Sequence, residues 1–180
     1  MKDEKIKKLL NASINNGPIR IGFLLIPNFT MLAFASAIEP LRAANRISEI
    51  DLFSWYVSSP NGQPIKASNE IIVNTDGCSS KLIECKLVFV ISGIDIKLHT
   101  NLQTLNLIRK LDRHGVIIGG ISTGTYLLAS AGLLNEKRCT IHWENNYSLI
   151  EEFPMIEVTN ELFEIDDMTI TCSGGTASID

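Results

Sequence analysis

Three short segments of the chain are almost entirely apolar. They cover residues 19–26, 87–91 and 116–120, and the second reads Leu-Val-Phe-Val-Ile without a polar residue. Continuous apolar runs of this length, rich in β-branched side chains, are typical of parallel strands that are covered on both faces. The sequence therefore predicts three central strands of a parallel sheet, with Pro27 ending the first of them.

Apolar residues at spacings of three and four predict the helices that connect these strands. One helix begins after Thr30, a second covers residues 102–113, and a third covers residues 123–131. The apolar face of the first helix consists of Met31, Phe34, Ile38 and Leu41. Strands and helices alternate from residue 87 to residue 131, which requires right-handed crossovers and an α/β fold with a mostly parallel sheet.

Pro40 lies inside the first predicted helix and is expected to interrupt it. Proline has no N–H to donate to the carbonyl of Ser36, and it restricts the backbone of Glu39 before it. The sequence therefore predicts a kink or a change of register at Glu39, with a carboxylate at an irregular point of the backbone.

Weaker patterns predict the rest of the domain and its limits. Short strands are expected at residues 52–58, 71–73, 138–141 and 156–158, and a hairpin at 162–165 and 168–172. Residues 174–180 have the pattern of a helix that starts there. Residues 1–18 are rich in lysine, Asn, Ser and Gly, so we expect a flexible leader followed by one domain from residue 19 to residue 180.

The segment after the third strand holds a serine between two glycines. Gly120, Ser122 and Gly124 form a G-x-S-x-G pattern between a predicted strand and a predicted helix. The missing Cβ atoms let the chain reverse tightly, which leaves the serine over the carboxyl edge of the sheet, as in a nucleophile elbow. The alternative is that Ser122 only caps the helix, since such a turn needs glycines in any case.

Three strand ends are expected to meet at one crevice. Pro27, Gly93 and Ser122 each follow a predicted strand. Ligands of parallel sheets bind outside the carboxyl ends of the strands. Backbone N–H groups at the start of the helix after Ser122 would favour an anion or a carbonyl oxygen there. The sequence thus predicts a site for a small polar or anionic molecule.

Composition and charge narrow the functional classes. The net charge is −4, and the predicted domain contains no cluster of Lys or Arg, so direct binding of nucleic acid by this chain is not expected. The four cysteines have no C-x-x-C spacing, which favours free thiols in a reducing cytoplasm over a structural metal. No apolar run reaches the roughly 18 residues that span a membrane. A cytoplasmic protein without metal or cofactor is expected.

Several motifs in order resemble the DJ/PfpI superfamily, which is class I glutamine-amidotransferase-like. The resemblance is closer to the N-terminal sensor domain of AraC-type transcriptional regulators of the GlxA kind. It is carried by residues 21–30, by 37–45 (Ala-Ile-Glu-Pro-Leu-Arg-Ala-Ala-Asn), by the serine turn with residues 129–134, by 140–144 (Thr-Ile-His-Trp-Glu) and by 153–180. The resemblance implies a flavodoxin-like three-layer α/β/α sandwich.

The resemblance also implies where an amidase-like site would lie, and how this chain departs from it. The superfamily usually has a cysteine at the elbow, a glutamate from the first helix region and a histidine about 20 positions later. These roles fall on Ser122, Glu39 and His142. Here serine replaces the thiol, no histidine follows it directly, and the Gly-Gly after the 87–91 strand is Gly93-Ile94. A hydroxyl without an adjacent base is a weak nucleophile, so the site is expected to be vestigial.

These departures favour ligand sensing without catalysis. The segments 27–30 and 39–45 are particularly similar to regulators of arginine, carnitine and glycine betaine catabolism, which implies an amino-acid-like or quaternary-amine effector. Glu39 and Trp143 would hold the cationic head, and the amides of residues 123 and 124 a carboxylate. The expected ligand-binding residues are Glu39, Gly93, Ser122, Thr123, His142 and Trp143.

The resemblance implies partners outside this chain and leaves other functions open. DNA would be bound by a C-terminal pair of helix-turn-helix motifs beyond residue 180, and a homodimer is expected because such regulators read paired half-sites. The main alternative is a hydrolase or amidase that uses Ser122 with His142 and Glu39. A conventional α/β-hydrolase is disfavoured because its acid should follow the serine. A scaffold dimer without a ligand stays open.

Overall fold

The computed structural model describes residues 17–180, so the predicted leader lies outside the described residues except for Gly17 and Pro18. The described residues form ten strands: β1 (Ile19–Leu25), β2 (Phe53–Ser58), β3 (Ile65–Lys66), β4 (Ile72–Val73), β5 (Leu87–Ile91), β6 (Ile117–Ile121), β7 (Arg138–Cys139), β8 (Glu157–Val158), β9 (Phe163–Asp166) and β10 (Thr169–Cys172). The helices are α1 (Met31–Ser48), α2 (Ile96–His99), α3 (Leu102–Arg113), α4 (Gly124–Ser130) and α5 (Asn146–Glu152). Short 3₁₀ helices cover Ser79–Glu84, Trp143–Asn145 and Gly175–Ile179.

Six strands form the central sheet in the order β2-β1-β5-β6-β10-β9. The first five strands of this order run parallel, and only the edge strand β9 is antiparallel to its neighbour. Numbered along the chain, the parallel strands have the order 2-1-3-4-5 of flavodoxin-like sheets, whose ligand site lies where the order reverses. The predicted α/β fold with a mostly parallel sheet is confirmed.

The sheet is buried on both faces, which explains why its central strands are apolar throughout. Phe23 and Leu25 belong to the core on the α1 side, where the Phe23 ring meets Phe34 edge-on with centroids 5.5 Å apart. Leu24 belongs to the opposite core, which α3 closes with fully buried side chains such as Ile108. Each such side chain contributes about 1.5–3 kcal/mol of burial free energy. The expected three layers are present.

The first helix is continuous where an interruption was predicted. Residues Glu39 and Pro40 are both helical, in the middle of the 18 residues of α1. The two halves are held independently, because Phe34 packs into the core and the Asn45 amide exchanges two hydrogen bonds of 2.7 and 2.9 Å with the backbone of Phe53. These contacts hold the helix together across the one hydrogen bond that Pro40 removes, so α1 is not broken at Glu39, and the kink expected there stays a prediction.

A single carboxylate joins three helices on the α3 side of the sheet. Glu152, the last residue of α5, forms an ion pair with Lys97 of α2 and accepts a 2.5 Å hydrogen bond from the Tyr126 hydroxyl of α4. The hydrogen bond from Lys97, and then that from Tyr126, lower the pKa of Glu152. Burial, followed by the hydrogen bond to Glu152, raises the pKa of Tyr126 to about 12. At physiological pH, Glu152 therefore stays ionised and Tyr126 stays protonated, so the hydrogen bond between them is kept.

Within residues 17–180, no helix is long and apolar enough to cross a membrane.

Replacing Gly124 by alanine should destabilise the protein although alanine favours helices. An added Cβ would lie 2.0 Å from the Val90 carbonyl oxygen of β5, so α4 would have to move away from the sheet. We expect a loss of about 2 kcal/mol or more in the free energy of unfolding, measured by urea denaturation. The control is Gly132→Ala, where φ is +82° but no atom lies within 4 Å, so the cost should be only about 1 kcal/mol. Equal losses at both positions would contradict the collision.

Replacing Glu152 by glutamine should reduce stability at neutral pH but not in acid. A carboxyl whose pKa is lower in the folded state binds a proton more readily when unfolded. Its contribution is therefore present above the unfolded value of about 4.3 and is lost as the pH falls through the lowered folded value. Urea unfolding from pH 7 to pH 3 should show a difference from wild type of about 1 kcal/mol or less that vanishes at the acid end. A difference that does not change with pH would contradict the ion pair.

Candidate functional site

A cleft lies at the carboxyl ends of β1, β5 and β6, where the strand order reverses. Its volume is about 530 Å³. The loops after these strands, the segment around α2 and the residues after β7 form its walls. The lining residues are Thr30, Ser68, Gly93, Ile94, Asp95, Ile96, Lys97, Leu98, Ser122, Thr123, His142, Glu144 and Asn145. Two of the three strand-end residues expected at one crevice, Gly93 and Ser122, line this cleft, whereas Pro27 lines a separate pocket.

Ser122 occupies the predicted elbow between β6 and α4. Its φ angle is +58°, a left-handed conformation that is unusual for a residue other than glycine. The strain is held by the surroundings, because the Ser122 N–H donates a 2.9 Å hydrogen bond to the Cys172 carbonyl and Gly124 packs against β5. Such strained positions are typical of functional sites.

The Ser122 side chain is enclosed, although it lines the cleft. The residue is only 3% exposed. Gly174 is part of the enclosure, since a Cβ added there would lie 2.6 Å from the Ser122 Cβ. Among the described residues, the Ser122 hydroxyl makes no hydrogen bond with His142 or with any other side chain. Nucleophilic attack by a serine requires a base in hydrogen-bond reach of its hydroxyl.

Thr123 and Gly93 form the rigid wall next to Ser122. The Thr123 hydroxyl donates a 2.7 Å hydrogen bond to the Gly93 carbonyl, and both residues are buried. Gly93 must be a glycine, because a Cβ would lie 2.4 Å from the Asn28 carbonyl oxygen. The loops after β1, β5 and β6 are thus locked together. The use of the amides of residues 123 and 124 for a carboxylate stays a prediction.

His142 lies 20 residues after Ser122 in the sequence and lines the same cleft. About a third of its side chain is exposed, and its Nδ1 lies 3.7 Å from a carboxylate oxygen of Glu144. The Nδ1 side of the imidazole therefore faces Glu144. Among residues 17–180, no hydrogen bond joins His142 to Ser122. The structure brings together four of the six residues expected to bind a ligand, namely Gly93, Ser122, Thr123 and His142.

Glu39 and Trp143 do not line this cleft. The Arg42 Nε donates a 2.8 Å hydrogen bond to Glu39, which lowers the pKa of that carboxyl, and the pair is exposed on α1. Since α1 is a regular helix, Glu39 lies five residues after the inward-facing Phe34 and nearly on the opposite side. Trp143 is 71% exposed. The predicted pairing of these two residues around a cationic head therefore does not fall in this cleft and stays a prediction.

Three charged residues of the cleft were missed by the sequence analysis. They are Asp95 and Lys97, around the short helix α2, and Glu144, two residues after His142. Asp95 adopts φ +57°, which a sequence pattern does not reveal. Glu144 belongs to the His-Trp-Glu segment, so that signal was available. Gly174 was missed as well, although the Gly-Gly pair at 174–175 marks a close approach.

The thiols and acidic groups give no sign of a metal centre. All four cysteines are free, and three of them are buried. Burial raises the pKa of Cys85 to about 11 and that of Cys139 to about 12, which makes both thiols unreactive. No group of three or more His, Cys, Asp or Glu side chains in the described part of the chain could hold a metal ion.

The chain is similar in sequence to proteins that are named as transcriptional regulators. The chain is 48% identical over 158 residues to the HTH-type transcriptional regulator CdhR of Pseudomonas aeruginosa, covering 88% of this chain and 47% of that protein. It is 39% identical over 168 residues to the HTH-type transcriptional regulator GlxA of Rhizobium meliloti, covering 89% and 50%. The chain thus spans about half the length of the curated relatives it matches.

Comparison with solved structures gives the same fold. An AraC family transcriptional regulator from Pseudomonas putida is 26% identical and superimposes with a TM-score of 0.80, covering 90% of this chain and 87% of that one. DJ-1beta of Drosophila melanogaster, 18% identical, shares the fold with a TM-score of 0.75 over 90% and 85%. A sequence model described as the DJ-1/PfpI family matches residues 21–180. With this match and the serine elbow on a 2-1-3-4-5 sheet, the chain belongs to the DJ-1/PfpI family.

Proposed function

We propose that residues 19–180 are the ligand-sensing part of an AraC-type transcriptional regulator. In this proposal the cleft at the strand ends binds a small metabolite with a cationic group and leaves it chemically unchanged. The observation that carries the proposal is the composition of the cleft. It has the elbow of an amidase-like site, but the Ser122 hydroxyl is enclosed and makes no hydrogen bond to a base within residues 17–180, and the carboxylates of Asp95 and Glu144 line the walls.

The charges of the cleft favour a cationic group. Asp95 and Glu144 bring two carboxylates to the lining, while the one Lys or Arg that lines it in the described chain, Lys97, is already paired with Glu152. The unbalanced charge of the walls is therefore negative. Opposite charge raises the local concentration of a cation and strengthens its binding in a partly water-excluded cavity. This supports the amino-acid-like or quaternary-amine effector, with Glu144 and Asp95 in the role first expected of Glu39.

The state of Ser122 favours binding over turnover. Hydrolysis by a serine needs a base in hydrogen-bond reach and a stabilised oxyanion. In the described part of the chain the Ser122 hydroxyl is hydrogen-bonded to no base, Glu39 does not line the cleft, and the second glycine of the expected Gly-Gly is Ile94. The alternative function, a hydrolase or amidase, is favoured only by the shared cleft of Ser122 and His142.

The regulators that the chain resembles support a division of labour. Their names describe helix-turn-helix transcriptional regulators, and each is about twice as long as the matched region. We infer that DNA is bound by a C-terminal helix-turn-helix domain beyond residue 180, in the cytoplasm, and that the regulator is a homodimer. Paired half-sites on DNA need such symmetry.

Calorimetric titration with glycine betaine, L-carnitine, L-arginine and choline tests the proposal. At least one compound should bind, and Glu144→Gln should weaken its binding by about threefold or more, because one carboxylate of the wall becomes neutral. The matched control is Glu157→Gln, an exposed position of β8 that does not line the cleft, and it should change the affinity by less than a factor of two.

Two outcomes would contradict the proposal. One is that none of the four compounds binds to the folded protein. The other is that Glu144→Gln and Glu157→Gln have the same effect, which would place the binding site elsewhere on the chain.

A further inference from the structure

Lys97 is the cation of the cleft, yet its charge is turned away from the cavity. The residue lines the cleft through α2, and its ammonium group forms an ion pair with Glu152 at the end of α5. The ammonium also lies 5.9 Å from the centre of the Tyr126 ring. Lys97 therefore has partners in the ligand-free protein, and none of them belongs to the residues that line the cleft.

The pair is built so that the lysine can leave without loss of structure. The side chain of Lys97 is 60% exposed and that of Glu152 is 34% exposed, so water screens their attraction and the bond is weak. Glu152 also accepts a 2.5 Å hydrogen bond from the Tyr126 hydroxyl on its other carboxylate oxygen, so it has a second partner besides Lys97. A carboxylate arriving in the cleft would exchange one ion pair of Lys97 for another at little cost.

The backbone that carries Lys97 is fixed at the rim of the cleft. The neighbouring Ile96 is 3% exposed and anchors α2 in the core, and the Thr100 hydroxyl donates a 2.9 Å hydrogen bond to the Ile96 carbonyl. Only the long, flexible side chain has to move. The Lys97 side chain can turn from Glu152 to the cavity because the residue already lines it.

We propose that Lys97 binds the carboxylate of the ligand, that Glu152 holds this lysine in reserve, and that the cleft is therefore specific for zwitterions. This inference rests on the proposed function of the cleft and refines it. A zwitterion places its cationic group near Asp95 and Glu144 and its carboxylate on Lys97. A ligand with the same cation but no carboxylate gains nothing from the lysine.

Paired ligands that differ only in the carboxylate test the inference. Calorimetry would compare glycine betaine with choline, and L-arginine with L-argininamide, on the wild-type protein and on Lys97→Met, Lys97→Arg and Glu152→Gln. Lys97→Met should weaken the binding of the carboxylate-bearing ligand of each pair by at least about tenfold. The affinity for the ligand without a carboxylate should stay within a factor of two of the wild-type value. Lys97→Arg should restore most of the difference, since it keeps the charge.

Glu152→Gln supplies a change in the opposite direction. Glutamine can still accept the hydrogen bond from Tyr126 but no longer competes for Lys97, so the carboxylate ligand should bind about two- to fivefold more tightly. The matched controls are Lys110→Met, an exposed position on α3 outside the cleft, and Glu151→Gln, an exposed neighbour of Glu152. Both should leave all affinities unchanged.

The failures of the two proposals can be told apart. If ligands bind in the cleft but Lys97→Met weakens both members of a pair equally, or neither, the role of Lys97 is overturned and the sensing function stands. If Glu152→Gln weakens binding, the ion pair between Lys97 and Glu152 serves only the structure, and the proposal that Glu152 keeps Lys97 available for the ligand is overturned. If no ligand of either pair binds to wild-type protein, the proposed function fails and this inference fails with it.

Discussion

The close approach of α4 to β5 is the constraint on which the site depends. Gly124 allows the helix to begin against the carbonyl of Val90, so the chain must reverse within a few residues after β6. That reversal forces Ser122 into a left-handed conformation at the carboxyl edge of the sheet. The hydrogen bond from the Ser122 N–H to Cys172 fixes the turn from the other side. Packing of the fold thus produces the geometry of the site before any ligand is considered.

The same packing is the reason for proposing that the site senses a ligand. The chain after β10 closes over Ser122, and the hydroxyl that an amidase would activate faces Gly174. The charged residues that line the cleft are suited to recognition: Asp95 and Glu144 carry carboxylates, and Lys97 lines the cleft while its ammonium group pairs with Glu152. Carboxylates and an ammonium can hold a charged metabolite, but they do not by themselves supply a nucleophile. This is why we favour sensing over turnover for a cleft with an elbow.

Sequence patterns predicted the parts of the molecule that depend on local order. The strand at Leu87–Ile91 and the helix at Leu102–Arg113 have the predicted bounds. A strand buried on both faces is a continuous apolar run, and a helix buried on one face has apolar residues at spacings of three and four, so both patterns are clear in the sequence. The helix α2 has only four residues, too few for a period, and was not predicted. Asp95 and Lys97 were missed with it. The exposed position of Glu39 could not be read from the sequence, because the face of α1 that meets the core is set by tertiary contacts such as those of Phe34 and Asn45.

The central claim is that this elbow recognises its ligand and does not transform it. The most direct measurement is to follow glycine betaine, L-arginine and the ester p-nitrophenyl acetate by NMR and absorbance during long incubation with wild-type protein and with Ser122→Ala. We predict that the first two compounds are recovered unchanged, and that the ester is hydrolysed at the same slow rate with both proteins. Turnover of any of them that is present in the wild type and absent in Ser122→Ala would contradict the account.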